Sequence, residues 1–342
     1  MATIAGSQFI ATAPPLTVTV GFDTAGDVPP VNPSDFNLEV FVGAVGNAPS
    51  LDPSYQGFAV LSPSGTEIDL ITGAFAVTDN GTGGDTLVVD GTHETIAGGS
   101  AFVDLILNGS NNAANGGSGS GFIEVNGTGD TVNTGLGGQV VNVNTGGNIV
   151  NVGSGNNVID IAGDNTTVSG GSGADTITAT GNNESISAGS GPELINATGT
   201  GTVLTGGNGN DTLNVFADGD TITGGSGVDV IGAYANNIAI FGSAGPSTVV
   251  TIGSADTVTA SSGNMLITAG GPDFQFSDNS SVLYNDTVVG FSNGGSDIIK
   301  LAAGDTVATS VLVNGGQDTL ITLSDSSTIL LKGVTDLSGI IR

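Results

Sequence analysis

Cysteine and tryptophan are absent, and basic side chains nearly so: three Lys and Arg stand against 32 Asp and Glu. Without cysteine there is no disulfide framework, and the redox compartment stays open. Nucleic-acid binding needs Lys and Arg to displace phosphate counterions, so that function is excluded. An anionic membrane surface would repel the chain for the same reason. No apolar run reaches the ~18 residues of a bilayer span, so membrane insertion is not expected. The opening residues, MATIAGSQFI, carry neither a basic n-region nor a continuous apolar h-region. They are not expected to act as a Sec-type leader or a transit peptide.

What is present argues for folding. Hydrophobic residues make up 38% of the chain and mean hydropathy is +0.25, unlike a charged disordered segment. Glycine is abundant, with 59 residues. A formal charge of −29 nevertheless repels itself, and a compact state calls for bound cations to offset it.

From Asn80 to Ser277 the sequence falls into eleven 18-residue units without insertion. The eighth position is always aliphatic, from Leu87, Leu105 and Ile123 through Val249 and Ile267. The tenth is nearly as apolar, and the ninth between them is mostly polar (Glu124, Asn142, Asp160, Asn196). This in-out-in alternation is the strand period. A third apolar row recurs nine residues after the eighth, at Ile96, Val132, Val168, Ile186 and Ile240. Each unit thus holds two short strands and two tight turns. Gly or Asn fills most fourteenth positions, as a turn with positive φ requires. The expected fold is all-β: a parallel β-solenoid of about eleven coils with β-rich flanks.

The turns carry the chemistry. Three units read GGxGxDxUx at every fixed position: Gly170–Thr178, Gly206–Asn214 and Gly224–Gly232. This nonapeptide is the calcium-binding signature of RTX proteins, and the chain resembles that hemolysin-type family. The resemblance implies a β-roll in which calcium lies between stacked turns, held by Gly carbonyls and the sixth-position acid. Carried onto this sequence, the expected ligands are Asp175, Glu193, Asp211 and Asp229 with the turn residues Gly171, Gly173, Gly207, Gly209, Gly225 and Gly227. Four acids in successive coils would set like charges close together, which cations between them would relieve. The competing role for such an Asp is to cap a turn through side-chain-to-backbone bonds; that role suffices for the isolated Asp85. On the opposite edge Glu184, Asp220 and Asp256 are separated by Thr202 and Ile238, so no continuous site is expected there.

Composition divides the chain into residues 1–79, 80–277 and 278–342. The first part is Pro-rich, with alternating stretches at Leu16–Val20 and Leu38–Val42 that read as strands of an arm or cap available for assembly. The last part holds all three bases, Lys300, Lys332 and Arg342. Its segment Asp318–Leu337 resembles the strand-turn-strand tail of type I-secreted proteins, which implies a C-terminal secretion signal. The resemblance therefore places the protein outside, or on the surface of, a Gram-negative bacterium.

An enzyme is not expected. The zincin pattern needs two His, and His93 is the only one, at a turn position. The GxSxG match at Gly290–Gly294 has no nearby base. Two non-enzymatic readings remain. In the first, calcium-stabilised rods join head to tail, each chain partnering itself, into an extracellular filament, biofilm matrix or surface layer. In the second, a monomeric adhesin binds a cell-surface polysaccharide or another surface. Ice binding fits poorly, because Ala113, Ile149, Val203 and Ala239 interrupt the outward Thr row.

Overall fold

The computed structural model describes residues 85–100, 103–279, 282–292 and 296–342, together with the backbone of five earlier strands. Two sheets of sixteen strands each run the length of the protein. Within residues 85–277 successive strands of each sheet pair in parallel at a spacing of 18, as in Ile177 with Ile195 and Val168 with Ile186. This is the expected parallel β-solenoid. At a rung spacing of roughly 4.8 Å, eleven coils make a rod about 50 Å long.

One sheet contributes inward side chains from the sixth, eighth and tenth positions of each unit, the other from the fifteenth and seventeenth. The eighth-position row, Leu87 through Ile267, is fully buried. The seventeenth-position row, Ile96 through Phe276, faces it from the other sheet. Each such aliphatic side chain stabilises by about 1.5–3 kcal/mol on burial, so the thin interior gains its stability by repetition. Small residues at the tenth position (Ala179, Ala197, Ala233) let the two sheets approach. Toward the C-terminal cap the interior holds aromatics: Phe276 lies 6.0 Å from Tyr284 and Phe274 meets Phe291 edge-on at 6.2 Å.

The turn chemistry follows the sequence closely. Every fourteenth position, from His93 and Asn111 to Ala255 and Asp273, has positive φ. Asn and Gly tolerate this left-handed conformation; Ala255 is there against its preference.

Both flanks extend the sheets. Val18–Asp23, Phe36–Phe41, Gly57–Val60 and Ala76–Asp79 continue one sheet in parallel, with spacings of 18 or 19 residues. Val18–Val20 and Leu38–Phe41 of the two alternating N-terminal stretches are therefore in strands, while Leu16, Thr17, Val42 and the prolines between them lie outside the described residues. Glu67–Leu70 begins the other sheet, paired with Asp85–Val89. After residue 277 the register lengthens: Leu266 pairs with Thr287 and Gln275 with Ile298. Thr328–Leu331 then joins Asn285–Val289 in parallel, and Asp318–Leu323 and Val307–Val313 complete the sheet as antiparallel strands. Val307–Val313 is the outermost, and all its residues except the terminal two are exposed.

Candidate metal sites along the two edges

At the sixth position a turn becomes a strand. The carbonyl there accepts a sheet bond from the next coil, as in Leu194 N to Asp175 O at 2.9 Å. For several of these residues the amide instead donates to the side chain of the sixth residue one coil later. Asn157 N reaches Asp175 Oδ1 at 2.7 Å, Glu193 N reaches Asp211 Oδ1 at 3.0 Å, and Asp211 N reaches Asp229 Oδ1 at 3.0 Å. Capping is thus a real role of these acids, and it uses one oxygen of each.

The second oxygen separates acids from amides. Asn157 caps Gln139 in the same way and turns its Nδ2 onto the Gly155 carbonyl at 2.6 Å. Gln139 Nε2 donates to Gly119 O at 2.6 Å. The amide hydrogens satisfy turn carbonyls. A carboxylate in the same place brings an oxygen without a hydrogen. Asp175 Oδ2, Asp211 Oδ2 and both Glu193 oxygens are sealed from solvent and meet no donor. An unmatched buried polar atom costs about 1–3 kcal/mol, and more when charged. A cation among carboxylate and carbonyl oxygens would supply what the amide hydrogens supply elsewhere. Calcium suits such a set, because it accepts six to eight oxygens in flexible geometry.

The expected ligands therefore come together on one edge: Asp175, Glu193, Asp211 and Asp229 are all at least 97% buried, in four successive coils. Asp229 differs from the others, since the Ser243 hydroxyl donates to its Oδ2. Burial first, then the neighbouring Asp211 carboxyl, pushes the Glu193 pKa up; burial also raises that of Asp211. Several of the turn glycines stand where a side chain does not fit. Gly207 and Gly225 have φ of 79° and 98°, and a side chain on Gly209 would collide with the Gly191 carbonyl. Gly171, Gly207 and Gly225 each accept an amide bond from the next coil, while Gly173, Gly209 and Gly227 occupy the position of Gly155. The side chain of Asp85 lies outside the described residues.

The opposite edge repeats the arrangement, although Thr202 and Ile238 interrupt its acids. Asp130 caps Asn112, Glu184 caps Thr166, Asp220 caps Thr202 and Asp256 caps Ile238, at 2.7–3.0 Å. Each keeps its second oxygen buried and unpartnered. The intervening residues again show the missing partner: Asn148 Nδ2 donates to Thr145 O at 2.8 Å, and the Thr166 and Thr202 hydroxyls donate to Gly163 O and Gly199 O at 3.2 Å. Glu184 Oε1 is so close to its turn that a Cβ on Gly181 would lie 2.5 Å away. Burial pushes Asp130, Asp220 and Asp256 up to about 6 and Glu184 to about 7. The signal in the sequence was the nine-residue offset between the two acidic positions, which makes both edges equivalent.

Compared with known proteins, the chain matches no family model and no curated protein. What its fold defines is a parallel β-solenoid whose two edges are lined by buried acids and amides.

Proposed function

We propose that this is a secreted, calcium-binding structural protein whose rods join head to tail into an extracellular filament or surface layer. The observation that carries the reading is the open construction of the rod. Among the described residues the two sheets end in Val18–Asp23 and Glu67–Leu70 on one side and in Ile298–Lys300 and Val307–Val313 on the other. Unpaired strand edges invite a further strand, and joining unlike ends without closure makes a filament. Calcium would be held at Asp175, Glu193, Asp211 and Asp229, and in single-acid sites at Asp130, Glu184, Asp220 and Asp256. There it would neutralise the unmatched oxygens and let coils stack. Export rests on the likeness of Asp318–Leu337 to a type I secretion tail, and the hairpin of Asp318–Leu323 with Thr328–Leu331 agrees with it.

A second reading has its own support. Phe216 and Tyr234 stack at 5.0 Å on the exposed surface, beside outward rows of Asn and Thr. Such a strip suits a sugar chain, as in an adhesin bound to cell-surface polysaccharide. Electron microscopy of the full chain, with and without about 10⁻³ M calcium, distinguishes the two. Filaments or sheets in calcium support assembly; dispersed single rods in calcium refute it.

A further inference from the structure

The C-terminal cap holds a cluster of acids outside both edge columns. Asp278 directly follows the last regular coil, Asp305 precedes Val307–Val313, and Asp325 lies in the turn between Asp318–Leu323 and Thr328–Leu331. One carboxylate oxygen from each falls within 4.8 Å of the others. The acids are held in place separately. Tyr284 Oη donates to Asp278 Oδ1 at 2.8 Å, and Ala302 N to its Oδ2 at 3.1 Å. The Ser327 amide and hydroxyl each donate to Asp325 at 2.8 Å, and Ser324 Oγ donates to Asp305 Oδ1 at 3.0 Å.

One further observation points to a ligand: Asp305 Oδ2, within the cluster, is sealed from solvent and has no donor. Asp286 is separate, since its Oδ1 accepts the Met265 amide at 2.7 Å and so continues the edge column. No basic side chain offsets these charges: among the described residues the one ion pair joins Lys332 to Asp318. Burial, the bond to Asp278, and the charges of Asp278, Asp286 and Asp325 hold the Tyr284 hydroxyl protonated far above its usual range. It therefore remains a donor among acids.

We propose that Asp278, Asp305 and Asp325 form a separate site for a hard divalent cation of the calcium type. The ion joins the end of the solenoid to two turns of the antiparallel cap and so fastens the cap in place. Three carboxylates from three segments, supplemented by water, satisfy an ion that prefers oxygen and accepts irregular geometry.

Tyr284 makes the site measurable. The chain has three Tyr and no Trp, and Tyr284 is bonded to a proposed ligand, so it can sensitise terbium bound there. In full-length protein titrated with Tb³⁺, emission excited through tyrosine should rise and saturate. Tyr284→Phe should abolish most of it, and Asp305→Asn or Asp325→Asn should weaken the titration by about 10–100-fold. Asp160→Asn, exposed on the outward face of the solenoid, should leave it unchanged. Circular dichroism confirms that each variant is folded. The proposal is overturned if wild-type protein gives no sensitised emission. It is equally overturned if folded Tyr284→Phe and Asp305→Asn titrate like wild type.

Discussion

Asp211 Oδ1 accepts the Glu193 amide at 3.0 Å, while its Oδ2, just as buried, meets no donor. One carboxylate therefore performs a structural task that Asn performs elsewhere and carries a surplus charged oxygen. Asp211→Asn removes only the surplus, whereas Asp211→Ala removes both. The Asn variant should stabilise the cation-free protein by about 1–3 kcal/mol and lose part of the gain from calcium. The Ala variant should be destabilised with and without calcium. Chemical denaturation in chelator and in calcium reads both; equal losses for the two variants would reject the division of roles.

Calcium should drive or greatly stabilise folding. Residues 80–277 contain acids and no base around a thin core. Ions that bind only the folded coil add stability with concentration. Circular dichroism in chelator should show a diminished β signal that calcium restores. An unchanged spectrum and melting temperature would contradict this.

The pH dependence should reverse with the ion. Burial raises Asp130, Asp220 and Asp256 to about 6 and Glu184 and Asp286 to about 7. Unfolded carboxyls titrate near 4, so the unfolded state binds fewer protons between these values. In chelator, stability is then greatest below pH ~4 and falls as pH rises through about 6–7. With calcium, acidification instead displaces the ion and destabilises. Melting temperatures across this range, with and without calcium, should move in opposite directions.

Ala255 sits at φ 60° in a turn where Asn and Gly predominate. Ala255→Gly should raise stability by roughly 0.5–1 kcal/mol, the relief of strain less the added freedom of the unfolded chain. Gly219→Ala, at φ 82°, should do the reverse. Thermal melts of the two variants suffice.

Assembly should depend on both ends of the rod. Leu312 is 56% exposed on the outermost strand Val307–Val313. Leu312→Lys should hinder strand addition there, and deletion of residues 1–30 should remove the strand at the other end. Sedimentation in calcium should show shorter assemblies for both variants. Full-length protein that stays monomeric at high concentration in calcium would end the assembly reading.

Much of this was legible because the solenoid repeats in step with its sequence. The apolar rows, the left-handed fourteenth position and the acidic column of Asp175 to Asp229 all recur every 18 residues. Glu184, Asp220 and Asp256 were harder to read. Thr202 and Ile238 looked like interruptions, yet each acid bonds one preceding coil and needs no acidic neighbour. The N-terminal strands keep nearly the same spacing, Val18 opposite Phe36, but their Pro-rich connections obscure it. Asp278, Asp305 and Asp325 had no periodic signal, since the folding back of the cap alone brings them together.

The caps also give the rod a direction. On both edges the donor amide belongs to the earlier coil and the accepting side chain to the later one, from Glu94 and Asn112 to Phe274 and Asp297. Coils thus overlap like roof tiles, each sealed by its successor. A chain shortened from its N-terminal side keeps capping side chains whose amides have gone with the missing coil. A chain cut within the array from its C-terminal side bares buried amides at the break. The sheet bonds are broken at either cut, but only the cut from the C-terminal side also strips the caps from amides that had them.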